Sequence, residues 1–195
     1  MSQSVTIVGA GLAGSEAALQ LADRGVRVRL VEMRPKTPTP VHVTGCCAEL
    51  VCSNSLKSEK PDSAAGMLKR ELAELGSQLY AQAKLHAVPA GGALAVDRTA
   101  FAEAVTALVE AHPLIDLVHD EIVDLVQAAE GADALVVAAG RSRPTLAASL
   151  SGSPAKSTWP STTPPPLSSW PIRSTTRSCS ARAATRTPPP MRATI

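Results

Sequence analysis

Apolar and polar positions over the first 140 residues follow strand and helix periods in turn. An apolar, β-prone run at residues 5–8 leads into a glycine-rich turn, and the turn opens a helix predicted over residues 16–24. A second apolar run at residues 26–31 ends at Glu32 and predicts the next strand. Strand, helix and strand in this order are typical of a parallel α/β sheet.

The residues after Glu32 predict a loop and then a long helix. Prolines at positions 35, 38 and 40 exclude a helix there and favour an extended segment. Residues 62–86 have a helical period, and Asp62 or Ser63 is in position to cap the helix start. We interpret its apolar stripe as core packing; the stripe consists of Met67, Leu68, Leu72, Leu75 and Leu79.

The pattern continues with shorter elements up to Gly140. Residues 93–96 predict a strand, and residues 100–111 predict a helix that Thr99 is able to cap. Three further strands are predicted at 114–118, 121–126 and 134–139, and the last is apolar throughout, as expected of a buried parallel strand. The expected fold class is α/β.

The turn after the first strand has the spacing G-x-G-x-x-G, and each glycine has a separate expected task. Gly9 makes the tight turn, Gly11 lets the backbone approach a pyrophosphate, and Gly14 allows close packing of helix on strand. The helix start offers unpaired N–H groups to phosphates. Glu32, which ends the second strand, is in position to bind a ribose hydroxyl.

These features predict a dinucleotide site in a Rossmann-like domain. The alternative is a plain βαβ turn without a ligand. The predicted cofactor-binding residues are Gly9, Ala10, Gly11, Leu12, Ala13, Gly14 and Glu32.

Composition divides the 195-residue chain near Gly140. Residues 1–140 carry 11 Lys and Arg against 17 Asp and Glu, a net charge of −6. Residues 141–195 carry 8 basic and no acidic residues, a net charge of +8, together with 10 of the 16 prolines. We therefore expect one domain over 1–140, followed by a disordered low-complexity tail over 141–195.

The sequence favours a cytoplasmic protein. No stretch reaches the roughly 18 to 20 apolar residues of a membrane span, and the first strand begins too early to leave room for a signal peptide. The four cysteines show no disulfide framework. We expect no membrane contact and no metal site.

Three blocks of the first 140 residues resemble a known family. They are VTIVGAGLAGSEAALQLADRGVRVRLVEMRP, AELVCSNSLKS and VPAGGALAVDR. Together they resemble the folate- and FAD-dependent tRNA uracil methyltransferases (TrmFO), which are related to the GidA flavoproteins that modify tRNA wobble uridines. The resemblance implies that residues 1–140 are the N-terminal part of an FAD-binding domain.

The resemblance also implies a reaction. The family takes a one-carbon unit from methylenetetrahydrofolate and attaches it to carbon 5 of the T-loop uridine in tRNA. Reduced FAD supplies the hydride, and NADH or NADPH reduces the flavin again. Carbon 5 of uracil becomes nucleophilic when a thiolate adds at carbon 6, so this chemistry uses cysteine.

Cys52 lies at the position of the family's cysteine in AELVCSNS and is the catalytic candidate. It either attacks the uracil or assists methylene or proton transfer while another cysteine attacks; a small buried thiol is the structural alternative. We interpret Cys46 and Cys47 as incidental thiols. His42 is a candidate substrate contact or a solvated loop histidine. Asp97 and Arg98 either approach the flavin or folate or form a structural ion pair.

The tail resembles a frameshifted remainder of the same gene. In a shifted frame, each codon consists of the third base of one codon and the first two bases of the next. Read in this way, the codons for residues 154–167 (PAKSTWPSTTPPPL) are able to encode the phrase GEEHLAFYDAAAP, which we call the permitted phrase. Trp159-Pro160 must then yield alanine, as it does there. Further phrases in the same frame resemble the family's continuation, so we expect an inactive chain that does not hold FAD tightly.

Two other functional classes stay open on the sequence alone. The glycine turn by itself is compatible with a generic FAD- or NAD-dependent oxidoreductase. The basic tail is compatible with a nucleic-acid-binding protein.

Overall fold

The computed structural model describes residues 3–140, so the predictions for the tail concern residues outside the described part. The elements are β1 (Ser4–Val8), α1 (Leu12–Asp23), β2 (Arg27–Glu32), β3 (Ser55–Ser58), α2 (Ala64–Glu74), α3 (Gln78–Leu85), β4 (Ala87–Val88), β5 (Ala93–Val96), α4 (Arg98–Ala111), β6 (Ile115–His119), α5 (Leu125–Ala129) and β7 (Ala134–Val137). The α/β prediction is confirmed.

Four parallel strands form the main sheet in the order β6-β2-β1-β7. On one side of β1 lies β2, followed by β6 at the edge, and on the other side of β1 lies β7. Parallel α/β sheets bind ligands outside the carboxyl ends of their strands, where the strand order reverses. In this chain that place is the end of β1, between β2 and β7.

One face of the main sheet carries the core. Apolar side chains of β1 and β2 pack there against α1, α3 and α4, because alternate strand residues point to the same face. Phe101 of α4 is among the largest fully buried side chains. A second, small cluster on β1 packs Val8 against Leu125 and Ala128 of α5.

A second sheet joins three short antiparallel strands in the order β3-β5-β4. Only β5 is predicted by the hydrophobic pattern. Strand β3 was missed because its sequence, SLKS, has one apolar residue among four, whereas β5 is apolar throughout. Strand β4 has only two residues, too few for any pattern.

The structure corrects the start of α1. The helix begins at Leu12, rather than at residue 16, because Gly11 is extended and serves as its N-cap. The last glycine of the turn therefore lies within the first helical turn.

The helix predicted over residues 62–86 is two helices. Gly76 has φ +70°, which ends α2, and the Ser77 hydroxyl accepts a hydrogen bond from the N–H of Tyr80 to cap α3. Ser63 caps α2 in the same way through the N–H of Gly66.

The interpretation of the stripe as core packing is wrong for part of it. Leu79 is buried, whereas Met67 and Leu68 are more than half exposed and Leu75 is 71% exposed. The buried residues of α2 are Gly66 and Lys69 instead. The period correctly marks a helix with two different faces, but it does not say which face the rest of the chain covers.

Three smaller predictions are also corrected. Strand β7 is parallel as predicted, but it is mostly exposed rather than buried. Residues 121–126 do not form a strand, because Asp124 caps α5 there by accepting from the N–H of Val126. Asp97, rather than Thr99, caps α4 through its Oδ1, which accepts from the N–H groups of Thr99 and Ala100. Over residues 3–140, no helix is both long and apolar enough to cross a bilayer.

Candidate cofactor site

A cleft of about 330 Å³ lies at the carboxyl ends of the parallel strands. Its lining comes from the glycine turn and start of α1, from the ends of β1 and β2, from the loop after β2, and from the segments after β6 and β7. The lining residues are Val8, Gly9, Gly11, Leu12, Ala13, Val31, Glu32, Met33, Arg34, Thr39, Val41, His42, Val51, Asp120, Ile122, Ala138, Ala139 and Gly140.

The glycine turn is shaped by three different constraints. Gly9 has φ +101°, a conformation that L side chains rarely adopt. A Cβ on Gly14 would lie 1.8 Å from the carbonyl oxygen of Gly9, so only glycine permits this packing. A Cβ on Gly11 would meet no atom within 4 Å, and because Gly11 lines the cleft, its backbone is open to a ligand.

The first turn of α1 faces this cleft with backbone donors. The helix has no side-chain cap, and its first intrahelical bond runs from the N–H of Ser15 to the Gly11 oxygen. The N–H groups of Leu12, Ala13 and Gly14 precede that bond and are the positive end of the helix dipole. This arrangement suits the phosphates of a dinucleotide.

Glu32 lies at the end of β2 and is almost completely buried. Its Oε2 accepts a hydrogen bond from the N–H of Ala10 at 2.8 Å, and its Oε1 accepts from Nε of Arg34 at 2.8 Å. Burial raises its pKa, but the hydrogen bonds from Arg34 and Ala10 outweigh that effect, so the pKa of Glu32 lies below its ordinary value. The carboxylate is therefore ionised at neutral pH.

Arg34 connects Glu32 to a second carboxylate. Its Nη1 donates to Oε2 of Glu49 at 2.9 Å and to the carbonyl oxygen of Thr44 at 3.3 Å. The side chains of Arg34 and Glu49 are 4% and 10% exposed. Two carboxylates and one guanidinium thus form a group with a formal charge of −1, in which Glu32 and Arg34 are buried and Glu49 is partly buried.

The loop after β2 supplies the opposite wall of the cleft. Thr39 Oγ1 and Nδ1 of His42 lie 2.6 Å apart, and the same hydroxyl accepts the N–H of His42. Burial, followed by the nearby Arg34 cation, lowers the pKa of His42. His42 is therefore a half-buried, neutral member of the cleft wall rather than a solvated loop histidine.

The structure brings most of the predicted cofactor residues together. Gly9, Gly11, Leu12, Ala13 and Glu32 line the cleft. Ala10 and Gly14 lie beneath it.

Ala10 and Gly14 are buried, and their contacts hold the shape of the glycine turn. The Ala10 oxygen accepts from the hydroxyl of Ser15 and from the N–H of Ala48, and Gly14 packs on Gly9.

The predicted catalytic residue, Cys52, is exposed and follows Val51, which lines the cleft. Cys47 is buried, and desolvation raises the pKa of its thiol to about 11. Cys46 is half-buried. Cys52 itself is not a lining residue of the cleft. The structure therefore separates an accessible thiol, Cys52, from an inert one in the core, Cys47.

Asp97 and Arg98 have structural contacts here. Asp97 caps α4, and Nη1 of Arg98 donates to the carbonyl oxygen of Leu50 at 3.4 Å. Neither residue lines the cleft.

Sequence reasoning missed Arg34 and Glu49. Arg34 had a local signal, since it stands two residues after the acidic residue in VEMRP. Glu49 had none, because its contacts depend on how the loop folds back.

The strand order, the glycine turn and the cleft define an α/β domain of the Rossmann type. A family model described as "Glucose inhibited division protein A" matches residues 4–147. The chain belongs to this GidA family.

Curated relatives bear the name of the family that the three sequence blocks resemble, which confirms that resemblance. The chain is 60% identical over 120 residues to "Methylenetetrahydrofolate--tRNA-(uracil-5-)-methyltransferase TrmFO" of Magnetococcus marinus, covering 61% of this chain and 27% of that protein. It is 54% identical over 140 residues to the protein of the same name from Geobacter sulfurreducens, covering 72% and 31%. The chain thus spans less than a third of the length of these relatives.

Among solved structures, an amine oxidase from Pseudomonas geniculata matches with 18% identity and a TM-score of 0.36, over 71% of this chain and 14% of that one. A score this low adds nothing to the fold assignment.

Proposed function

We propose that the cleft binds the ADP portion of FAD. The observation that carries this proposal is the open backbone of Gly11 beside the start of α1, where no side chain caps the helix. A pyrophosphate needs both close approach and N–H donors. Glu32, at the end of the neighbouring strand, is the acceptor for the ribose hydroxyls. The cofactor-binding set is therefore Gly9, Ala10, Gly11, Leu12, Ala13, Gly14 and Glu32, of which Ala10 and Gly14 act by shaping the turn.

For a protein of the family's full length, we propose that the reaction is methylation of carbon 5 of the T-loop uridine in tRNA, in the cytoplasm. Methylenetetrahydrofolate is the one-carbon donor, and NADH or NADPH is the reductant. Bound FAD would supply hydride chemistry that no side chain provides. The names of the relatives and the family membership support this reaction.

Cys52 is the catalytic thiol of this part of the chain. It is exposed and adjoins the cleft wall at Val51, whereas Cys47 is buried with a raised pKa. As a thiolate, Cys52 would either attack carbon 6 of the uracil or assist transfer at carbon 5. Residues 1–140 carry a net charge of −6, so this body is a poor polyanion-binding surface, and we assign tRNA contacts to other parts of a family-length protein.

We further infer that the codons from about residue 141 are translated in a shifted frame. The permitted phrase over residues 154–167 resembles the family's own continuation, and both Trp-Pro pairs yield the required alanine. The DNA across codon 141 decides the matter. A neighbouring frame that is closed by stop codons, or that encodes unrelated sequence, would overturn the inference.

Two measurements test the proposed function. Titration calorimetry with ADP and FAD should show weak binding that Glu32→Gln weakens further, and the purified chain should be colourless because it does not retain FAD. A tRNA methylation assay should detect no product with this chain and clear product with the frame restored. Binding of neither nucleotide would refute the cleft assignment, and a yellow, flavin-saturated chain would refute the predicted loss of FAD.

A further inference from the structure

We propose that Glu49 is a positioning residue of the cleft, which acts through Arg34 on the ribose-binding carboxylate of Glu32. The proposal rests on the proposed FAD site and adds to it a residue that does not touch the ligand. Its basis is a continuous chain of short contacts that joins two buried side chains, Glu32 and Arg34, to the partly buried side chain of Glu49.

The first link runs from the cleft to the guanidinium. Oε1 of Glu32 accepts from both Nε and the backbone N–H of Arg34, at 2.8 and 3.2 Å. Oε2 accepts from the N–H of Ala10 in the glycine turn. Both oxygens are therefore fixed in direction. Oε1 uses both of its lone pairs in these contacts, and one lone pair on Oε2 is left for a ribose hydroxyl.

The second link holds the guanidinium itself. Arg34 Nη1 donates to Oε2 of Glu49 at 2.9 Å, so one planar group bridges two carboxylates. A guanidinium donates in a fixed fork, and fixing one arm therefore sets the direction of the other. Glu49 thus determines where Arg34 presents Nε to Glu32.

Charge gives Glu49 a second effect. Glu32 and Arg34 alone would be a neutral pair, in which the adjacent cation weakens the carboxylate as a hydrogen-bond acceptor. With Glu49, the cation is shared between two anions, and the group keeps a formal charge of −1. The oxygens of Glu32 are then stronger acceptors for a ribose hydroxyl.

The same carboxylate also fixes the opposite wall of the cleft. Oε1 of Glu49 accepts from the N–H of Val43 at 2.8 Å, and Oε2 accepts from the N–H and the hydroxyl of Thr44 at 3.1 and 2.8 Å. These contacts hold the end of the segment that carries His42 into the cleft wall. Glu49 therefore connects the loop wall to the end of β2.

The test compares two nucleotides on the full chain. ADP has both ribose hydroxyls, and 2′,3′-dideoxy-ADP has neither, so the ratio of their Kd values reports the hydrogen bond to Glu32 and cancels general effects on folding. Hydrogen bonds to a charged acceptor predict a ratio of about 10 or more for the unaltered chain. Glu32→Gln should bring the ratio to about 1–3.

Glu49→Gln keeps the shape of the side chain and removes its charge, and we expect the ratio to fall to about 3 or less. Arg34→Lys is a second variant, since an ammonium cannot replace the fork; it should lower the ratio in the same way. The matched control is Glu16→Gln, a carboxylate that also accepts several hydrogen bonds but lies outside the cleft lining. Its ratio should equal that of the unaltered chain.

The outcomes separate the two proposals. No binding of ADP to the unaltered chain would refute the cofactor site itself. Binding of ADP with a ratio near 1 would refute the role of Glu32 and, with it, that of Glu49. A normal ratio in Glu49→Gln, with Glu32→Gln reduced, would refute the positioning role alone, whatever the ratio in Arg34→Lys.

Discussion

A Cβ on Gly14 would lie 1.8 Å from the carbonyl oxygen of Gly9. The turn and the helix that follows it are therefore packed backbone against backbone, with no room for any side chain. Gly11, in the same motif, has nothing within 4 Å of its Cβ position. One glycine of the motif serves the fold, and another serves the ligand.

This difference predicts that one alanine substitution mainly lowers stability and the other mainly weakens nucleotide binding. Gly14→Ala should lower the free energy of unfolding by about 3 kcal/mol, because backbone atoms must move. Gly11→Ala should change it by about 1 kcal/mol or less, since Gly11 is extended at φ −70° and has open space, but it should weaken ADP binding at least about tenfold by blocking close approach. Urea unfolding and titration calorimetry measure the two effects, and equal unfolding energies for both variants would contradict this division.

Glu16 of α1 caps the start of α3. Its carboxylate accepts from the N–H groups of Gln78 and Leu79 and from the hydroxyl of Ser77. Glu16→Ala should therefore cost about 1–2 kcal/mol of unfolding free energy, because these donors lose a charged acceptor. The exposed Glu103 of α4 offers a control, and Glu103→Ala should be neutral to about 0.5 kcal/mol. Similar losses in the two variants would show that Glu16 is not a cap.

The parts of the fold that could be predicted from sequence are those that short-range chemistry determines. The turn from Gly9 to Gly14 and the strand ending at Glu32 were predictable, because glycine spacing and apolar runs act over a few residues. The break at Gly76 was also marked locally, by a glycine followed by the capping residue Ser77, but the helical period on both sides concealed it.

Long-range contacts were not predictable in the same way. Glu49 lies 15 residues from Arg34 in the chain, and its role appears only when the intervening loop has folded back on β2. Met67 and Leu75 show that a regular local pattern also leaves burial undetermined. Their spacing indicates a helix, but the identity of the covered face depends on neighbours that the period does not describe.

The cysteines should differ in alkylation. Cys52 is exposed, whereas Cys47 is buried with a pKa raised to about 11. Because the thiolate is the reacting form, iodoacetamide at pH 8 should modify Cys52 at least about tenfold faster than Cys47 in the folded chain. Peptide mass spectrometry measures each site, and labelling in 8 M urea is the control in which the two rates should converge. Faster modification of Cys47 would contradict its placement in the core.

Glu32 should make stability depend on acid. Its folded pKa lies below the ordinary value of 4.5, because the hydrogen bonds from Arg34 and Ala10 outweigh the effect of burial. A carboxyl with a depressed folded pKa stabilises the fold above its unfolded pKa, and this contribution is lost as the pH falls through the folded pKa. The free energy of unfolding should therefore decrease below about pH 4.5 more steeply in the unaltered chain than in Glu32→Gln. Urea titrations from pH 7 to 3 measure the slopes, with Glu103→Gln expected to follow the unaltered chain; identical slopes for Glu32→Gln and the unaltered chain would contradict the buried ion pair.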